Sequence, residues 1–227
     1  MIGLFSPLLS LALSVAVGTG LPGNCTGCDF ANRNLQNADL SNVNYVGVDF
    51  AGADLRGANF SGANLVGVDF DGAKLHGARF AGAKLVGIDL RRAVTGLDDA
   101  DLRSLFHDCT GCDAKGAELA GRDLSGVAMV GTDLSGARAR GVRFVGANIM
   151  GVDFRDADLR DADLHDAKLC SYNTDGRAGC ADFRGADLHG ASLRGVLICR
   201  NGHDCRPVDA ATLRSGSRSN LDGAILP

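Results

Sequence analysis

Eight cysteines are the residues of this chain whose types and spacing speak most directly of chemistry. The motif CTGCD occurs twice, at Cys25–Asp29 and Cys109–Asp113, while Cys170 and Cys180 bracket SYNTDGRAG and Cys199 and Cys205 bracket RNGHD. Two CxxC pairs side by side could hold zinc through four thiolates. A CxxC at the head of a helix in a βαβ setting could exchange disulfides, but no such setting surrounds either motif. Each pair could also close on itself, as a local disulfide or a buried thiol pair. His107-Asp108-Cys109 and His203-Asp204-Cys205 contain the residue types of a nucleophile triad. Neighbours in an extended chain point opposite ways, however, so adjacency does not assemble one. Finally, Asp29, Asp49, Asp69 and Asp89 recur at every twentieth position, continued after a slip by Asp113, Asp133 and Asp153. Such a ladder could hold calcium, or it could bond its own turns.

Which chemistry is open depends on the elements that carry these residues. From Phe30 to Leu90 every fifth residue is large and apolar, as in Phe50, Leu55, Phe60, Leu65 and Phe70. Two places earlier stands a small or β-branched residue, such as Ala53, Ala58 or Val68, with Asp or Asn between the two. Two places later stands Gly, nine times running from Gly47 to Gly87. The unit is A-(D/N)-(L/F)-x-G. A period of five fits neither a helix nor a continuous strand. The apolar pair, spaced by two, points one way as in a strand. A turn must then follow each unit to bring the next pair to the same interior. Gly tolerates the backbone angles of such turns, and Asp or Asn side chains bond their own backbone there.

A second period lies over the first. YVGVDF (45–50), LVGVDF (65–70) and LVGIDL (85–90) begin at every twentieth position, which is four units of the short repeat. Four sides therefore complete one coil, and equivalent residues of successive coils stack. Phe30, Phe50 and Phe70 should form one internal column, and Phe60 with Phe80 another. In this unit and copy number the chain resembles the pentapeptide-repeat family over about residues 25–198. The resemblance implies an all-β, right-handed quadrilateral β-helix, here of about seven to eight coils. At ~4.8 Å per coil that is a rod of roughly 35 Å.

The pattern divides the chain. A first stack spans 25–90. An irregular coil or kink follows at 91–108, where a few extra residues enter one coil. A second stack spans 109–198, with Arg122 and Ala139 as exceptions to its pattern and an insertion at 170–182. A C-terminal cap or tail occupies 199–227. On the grid set by the longer period Cys25 and Cys28 fall on interior positions, as do Cys109 and Cys112, and the two motifs stand four coils apart. That separation, ~19 Å, is too large for one shared zinc site. The reading adopted is local disulfides: Cys25 with Cys28, Cys109 with Cys112, Cys170 with Cys180, and Cys199 with Cys205.

Residues 1–28 carry no charged side chain, and Leu8–Val17 is an apolar run followed by small residues and Leu21-Pro22-Gly23. This predicts a signal peptide at 1–20, or an anchor if it is not cleaved. With an even cysteine count it places the protein in the periplasm or outside the cell. Glycine numbers 32 and Asp 26 against a single Glu, Glu118, which excludes a helical bundle or coiled coil. The net charge of −4, with both signs mixed, gives no ground for nucleic-acid binding.

No catalytic residue, cofactor or metal ion is expected, and His76, His165 and His189 read as surface residues. The expected function is a non-enzymatic exported scaffold for an unknown protein partner, touching a membrane only through an uncleaved N-terminal segment. Candidate contact residues are Asp156, Asp161 and Asp166, which replace Gly in the most charged stretch, with Tyr172 and His203 in the insertions. The family resemblance supplies the alternative, since some members mimic duplex DNA and inhibit gyrase. That requires a strongly acidic surface, whereas residues 25–96 balance seven Asp against seven Lys and Arg.

Overall fold

The computed structural model describes residues 20–107, 109–172, 178–200, 204–209, 211 and 224–226. The chain winds into a coil with four walls and a filled centre. On the first wall β1 (Asn24–Thr26), β2 (Asn44–Val46), β3 (Asn64–Val66), β4 (Lys84–Val86) and β5 (Cys109–Thr110) pair in parallel order. Their register is that of the longer period, with Cys25 beside Tyr45, Tyr45 beside Leu65 and Leu65 beside Leu85. The second wall is a column of single bridges through Asp29, Asp49, Asp69, Asp89, Asp113, Asp133, Asp153 and Asp182. Those eight rungs give the coil count that the repeat implies.

Each repeat unit bonds upward and downward. The Phe50 N–H donates to the Asp69 carbonyl of the next coil at 2.8 Å, and the Asp69 N–H donates back to the Val48 carbonyl at 2.9 Å. Within a corner the Ala53 N–H donates to the Phe50 carbonyl at 2.9 Å, closing a turn around Ala51 and Gly52. Inside, the large side chains stack as columns. Phe50 and Phe70 lie parallel with centroids 5.5 Å apart, Phe60 and Phe80 at 5.1 Å, and Phe154 and Phe183 at 5.2 Å. Tyr45 is fully buried and donates its hydroxyl to the Pro22 carbonyl, closing the N-terminal end. Burial pushes that phenol up to about 12.

The irregular stretch differs from a simple kink. Residues 99–106 form a helix, α1 (Asp99–Phe106), between β4 and β5. Composition excludes helices for the chain as a whole, yet this window has what a helix needs. Asp98 caps the N-terminus by accepting from the Asp101 N–H, and Leu102, Leu105 and Phe106 bury one stripe. The helix interrupts only two walls. Bridges on the first and second walls run through the break, Leu85 to Cys109 and Asp89 to Asp113, so the stack is continuous there. The bridge columns of the third and fourth walls stop at Lys74 and Arg79, then resume at Glu118 and Asp123.

Side chains of α1 stand in for the missing coil. Asp101 Oδ2 accepts from the Gly77 N–H at 2.9 Å, and Ser104 Oγ lies 3.4 Å from the Phe80 N–H it accepts. On the other side Arg103 donates to the Asp123 carbonyl at 2.9 Å. Arg122, an exception in the repeat, reaches back to Asp99 of the helix at 3.6 Å. Ala139, the other exception, is fully buried.

Near the C-terminus the first wall widens. β6 (Lys168–Tyr172) and β8 (Leu197–Arg200) pair in parallel, one above the other. Each folds back on an antiparallel partner, β7 (Ala178–Cys180) and β9 (Asp204–Pro207), giving a sheet in the order β7-β6-β8-β9.

Candidate functional site

The structure joins all the cysteines locally: Cys25 to Cys28, Cys109 to Cys112, Cys170 to Cys180, and Cys199 to Cys205. Closed in this way, neither CxxC offers thiolate ligands or a nucleophile. Their places differ. Cys109–Cys112 is buried inside the coil, with the Cys109 carbonyl accepting from the buried Thr132 hydroxyl at 3.3 Å. Cys25–Cys28 is half-buried at the first coil. Cys170–Cys180 and Cys199–Cys205 each lie directly across an antiparallel strand pair, so each clamps one hairpin.

The aspartate ladder serves its own turns. Asp29, Asp49, Asp69, Asp89, Asp113, Asp133, Asp153 and Asp182 each accept from the N–H two residues on, at 2.7–3.2 Å. The lower and upper rungs then part company. Arg91, Arg155 and Arg184 fork onto Asp89, Asp153 and Asp182, and Lys115 reaches Asp133 at 3.1 Å. Off this wall, Arg56 grips Asp54 and Arg160 grips Asp158 in the same way. The guanidinium hydrogen bonds hold Asp54, Asp158 and Asp182 below the usual carboxylate range.

Asp156, Asp161 and Asp166 stand at three successive corners of one coil, so they surround it instead of lining one wall. All are exposed, with Arg140 3.0 Å from Asp161 and His165 3.3 Å from Asp166. The Tyr172 backbone ends β6 opposite Ala178 and Arg200. His203, residues 173–177 of the insertion and residues 1–19 of the expected leader lie outside the described residues, as does Asp108.

Sequence reasoning overlooked the outward side of the first wall. The residues following its large apolar positions are Thr26, Val46, Val66, Val86, Thr110, Val130 and Met150, one per coil and none charged. The residues preceding them in the sequence are Asn24, Asn44, Asn64, Lys84, Asp108, Ala128, Asn148 and Lys168, so this side carries two lysines and one aspartate, Asp108 lying outside the described residues. Val46 is 38% exposed, one of two large apolar side chains that stand well out of the described surface. Pairing carries this wall from β1 to β5 and from Ala128 through β6 and β8 to the two clamped hairpins, and between the two runs the Gly111 N–H donates to the Val130 carbonyl at 2.9 Å. The signal was present in the repeat itself: YVGV, LVGV and LVGI place valine where the other walls of the first stack place Ala, Ser, Gln, Arg, Asp or His. Among the described residues no helix is long and apolar enough to cross a membrane.

Comparison with known proteins places this architecture. A family profile described as pentapeptide repeats matches in 8 copies, in ranges running from 24–62 to 180–197 and covering more than half of the chain. No curated protein sequence matches. Solved structures with similarity include QnrB1, a plasmid-mediated fluoroquinolone resistance protein. It is 18% identical, with 89% of this chain and 76% of that one covered and a TM-score of 0.36. HetL, a pentapeptide repeat protein of the cyanobacterium Nostoc sp. involved in heterocyst differentiation regulation, is 27% identical over 78% of this chain and 77% of its own, TM-score 0.29. A pentapeptide repeat protein of the Arabidopsis thaliana thylakoid lumen is 26% identical over 61% and 70%, TM-score 0.23.

Proposed function

Since the chain belongs to the pentapeptide-repeat family, we propose that it is a non-enzymatic exported scaffold that binds a protein partner along the first wall. One observation carries the reading: a flat, β-branched, nearly uncharged strip continues into two disulfide-clamped hairpins on a surface otherwise rich in ion pairs. Charge depletion with an apolar centre and a polar rim is the composition of a protein-binding patch. Repeat solenoids usually act through such extended surfaces. Four disulfides suit an oxidising compartment, which supports export through the leader at 1–20. Of the three corner aspartates, Asp166 stands between the fourth wall and the first and would form the charged flank of the contact, with Tyr172 and His203 in the insertions.

A photo-crosslinking residue at Val66 or Val86 should capture one discrete envelope protein, and the same residue at Arg79 on the fourth wall should not. Equal capture from both walls, or from neither, would sink the reading. Fusion of residues 1–30 to alkaline phosphatase should give activity outside the cytosol, and an inactive fusion would remove export.

The DNA-mimic alternative finds less support. The upper aspartates of the ladder are matched by Arg91, Lys115, Arg155 and Arg184, so the upper part of that wall is a row of ion pairs and not of free anions. Gyrase supercoiling should proceed unhindered in the presence of the protein.

A further inference from the structure

The helix that fills the broken coil also creates a group of side chains found nowhere else among the described residues. His76 follows Leu75 on the third wall, Asp98 caps α1 and Asp101 lies in its first turn. One donor atom from each lies within 4.8 Å of the other two. His76 Nδ1 is 3.0 Å from Asp101 Oδ2, with the imidazole 65% exposed. Both carboxylates are fixed by backbone amides. Asp98 Oδ1 accepts from the Asp101 N–H and Asp101 Oδ2 from the Gly77 N–H, each at 2.9 Å. Each keeps a second oxygen with lone pairs to give, and the imidazole keeps a second nitrogen.

Their charge balance is unusual for this molecule. Around the same break Asp71, Asp89 and Asp99 pair with Arg92, Arg91 and Arg122. Among the described residues no Lys or Arg pairs with Asp98 or Asp101. Two carboxylates of α1 and its cap therefore converge beside an imidazole that a different coil supplies, with Arg122 acting on Asp98 only from beyond ion-pair distance.

We propose that His76, Asp98 and Asp101 bind one divalent transition-metal ion of the zinc class, which staples α1 to the third wall. One imidazole nitrogen and two carboxylate oxygens are a donor set that zinc accepts, with water completing the coordination. Calcium, which takes six to eight oxygens, is poorly served by three ligands of which one is nitrogen. The cysteines, all in disulfides, do not compete for the ion. Because the three ligands meet only in the folded coil, the ion stabilises the native state by mass action. The sequence pattern hides the site, since Asp98 and Asp101 approach His76 only through a helix in a stretch that reads as irregular.

Calorimetric titration of the disulfide-intact protein with Zn2+ tests this. The expected result is one ion per chain, weakened at least tenfold in His76→Ala and in Asp98→Asn, with Ca2+ at equal concentration not competing. Asn caps a helix as well as Asp, so the second variant removes a charged ligand and leaves α1 in place, which circular dichroism verifies. Zn2+ should also slow amide exchange across 99–106 in the wild type and not in His76→Ala. Unchanged affinity in both variants, or no saturable uptake, overturns the proposal.

Discussion

Two coils, one near each end, solve the same corner problem with different side chains. In the first coil Asn32, Asn37 and Asn42 occupy three successive corners with φ of 55–57°, and in the coil begun at Asp153 the same corners are Asp156, Asp161 and Asp166 at 57–60°. Elsewhere this position is nearly always glycine, because an L side chain strains in the left-handed region and only Asn and Asp enter it readily. In both coils the Asx side chain leans over the next corner. A Cβ added to Gly52, Gly57 or Gly62 would sit 2.4–2.6 Å from the Asn oxygen below, and one added to Gly185, Gly190 or Gly195 2.2–2.5 Å from the Asp oxygen. An Asx corner thus crowds the coil above it, where an added Cβ would oblige the Asx side chain to turn aside, and charge is the variable left free.

The largest effect follows from that coupling. Gly57→Ala and Gly190→Ala should each destabilise by about 2–3 kcal/mol in urea unfolding, combining left-handed strain with the blocked oxygen. Gly126→Ala, also at positive φ but with nothing within 4 Å of the new Cβ, should cost only about 1–2 kcal/mol. Asn37→Gly combined with Gly57→Ala should recover the difference. Equal costs at Gly57 and Gly126, or no recovery, would show that the corners act independently.

Acid should weaken both ends next. Asp158 and Asp182 in the upper coils are held low by Arg160 and Arg184, and Asp123 and Asp133 are also lowered, with Ser125 and Ser135 donating to them. The lower coils have Asp39, Asp54 and Asp71 in this condition. A carboxylate with a depressed folded-state pKa adds stability above its unfolded value near 4, and that contribution disappears as pH falls through the folded value. Stability should therefore decline below about pH 4, with amide protection lost from both 30–90 and 118–190. Protection unchanged in either region down to about pH 2 would show that its lowered carboxylates add nothing to stability. The effect is muted because these groups are largely solvated.

The fold was legible because one five-residue unit encodes wall, corner and interior together. Phe50 and Phe70 could be stacked on paper from the longer period alone. The cysteine pairs were legible too, since each lies within one corner or across one hairpin. The helix was not. Global composition argues against helices, and an Asp98 cap with apolar residues at 102, 105 and 106 is a short signal inside a chain tuned to period five. The uncharged wall was missed for another reason. Its valines sit next to interior positions, and a search for interior residues passes over their outward neighbours. The Asp156–Asp161–Asp166 run reads as one acidic patch in sequence, whereas a turn in every repeat unit sends each to its own corner.

Smaller effects distinguish corner geometry from corner charge. Asp161→Asn keeps a residue suited to positive φ and removes the ion pair with Arg140, an exposed contact at 3.0 Å. Exposed pairs of this kind contribute about 0.2–1 kcal/mol and fade with salt. The loss should be under about 1 kcal/mol in low salt and vanish in about 1 M NaCl. The reciprocal change, Asn37→Asp, brings a charge to a corner that carries none, where the backbone N–H donates to the Arg56 carbonyl. It should shift stability by less than about 0.5 kcal/mol, the range of an ordinary surface substitution. If Asn37→Asp instead costs as much as Gly57→Ala, the amide group itself, and not the left-handed backbone it allows, holds the first coil against the second.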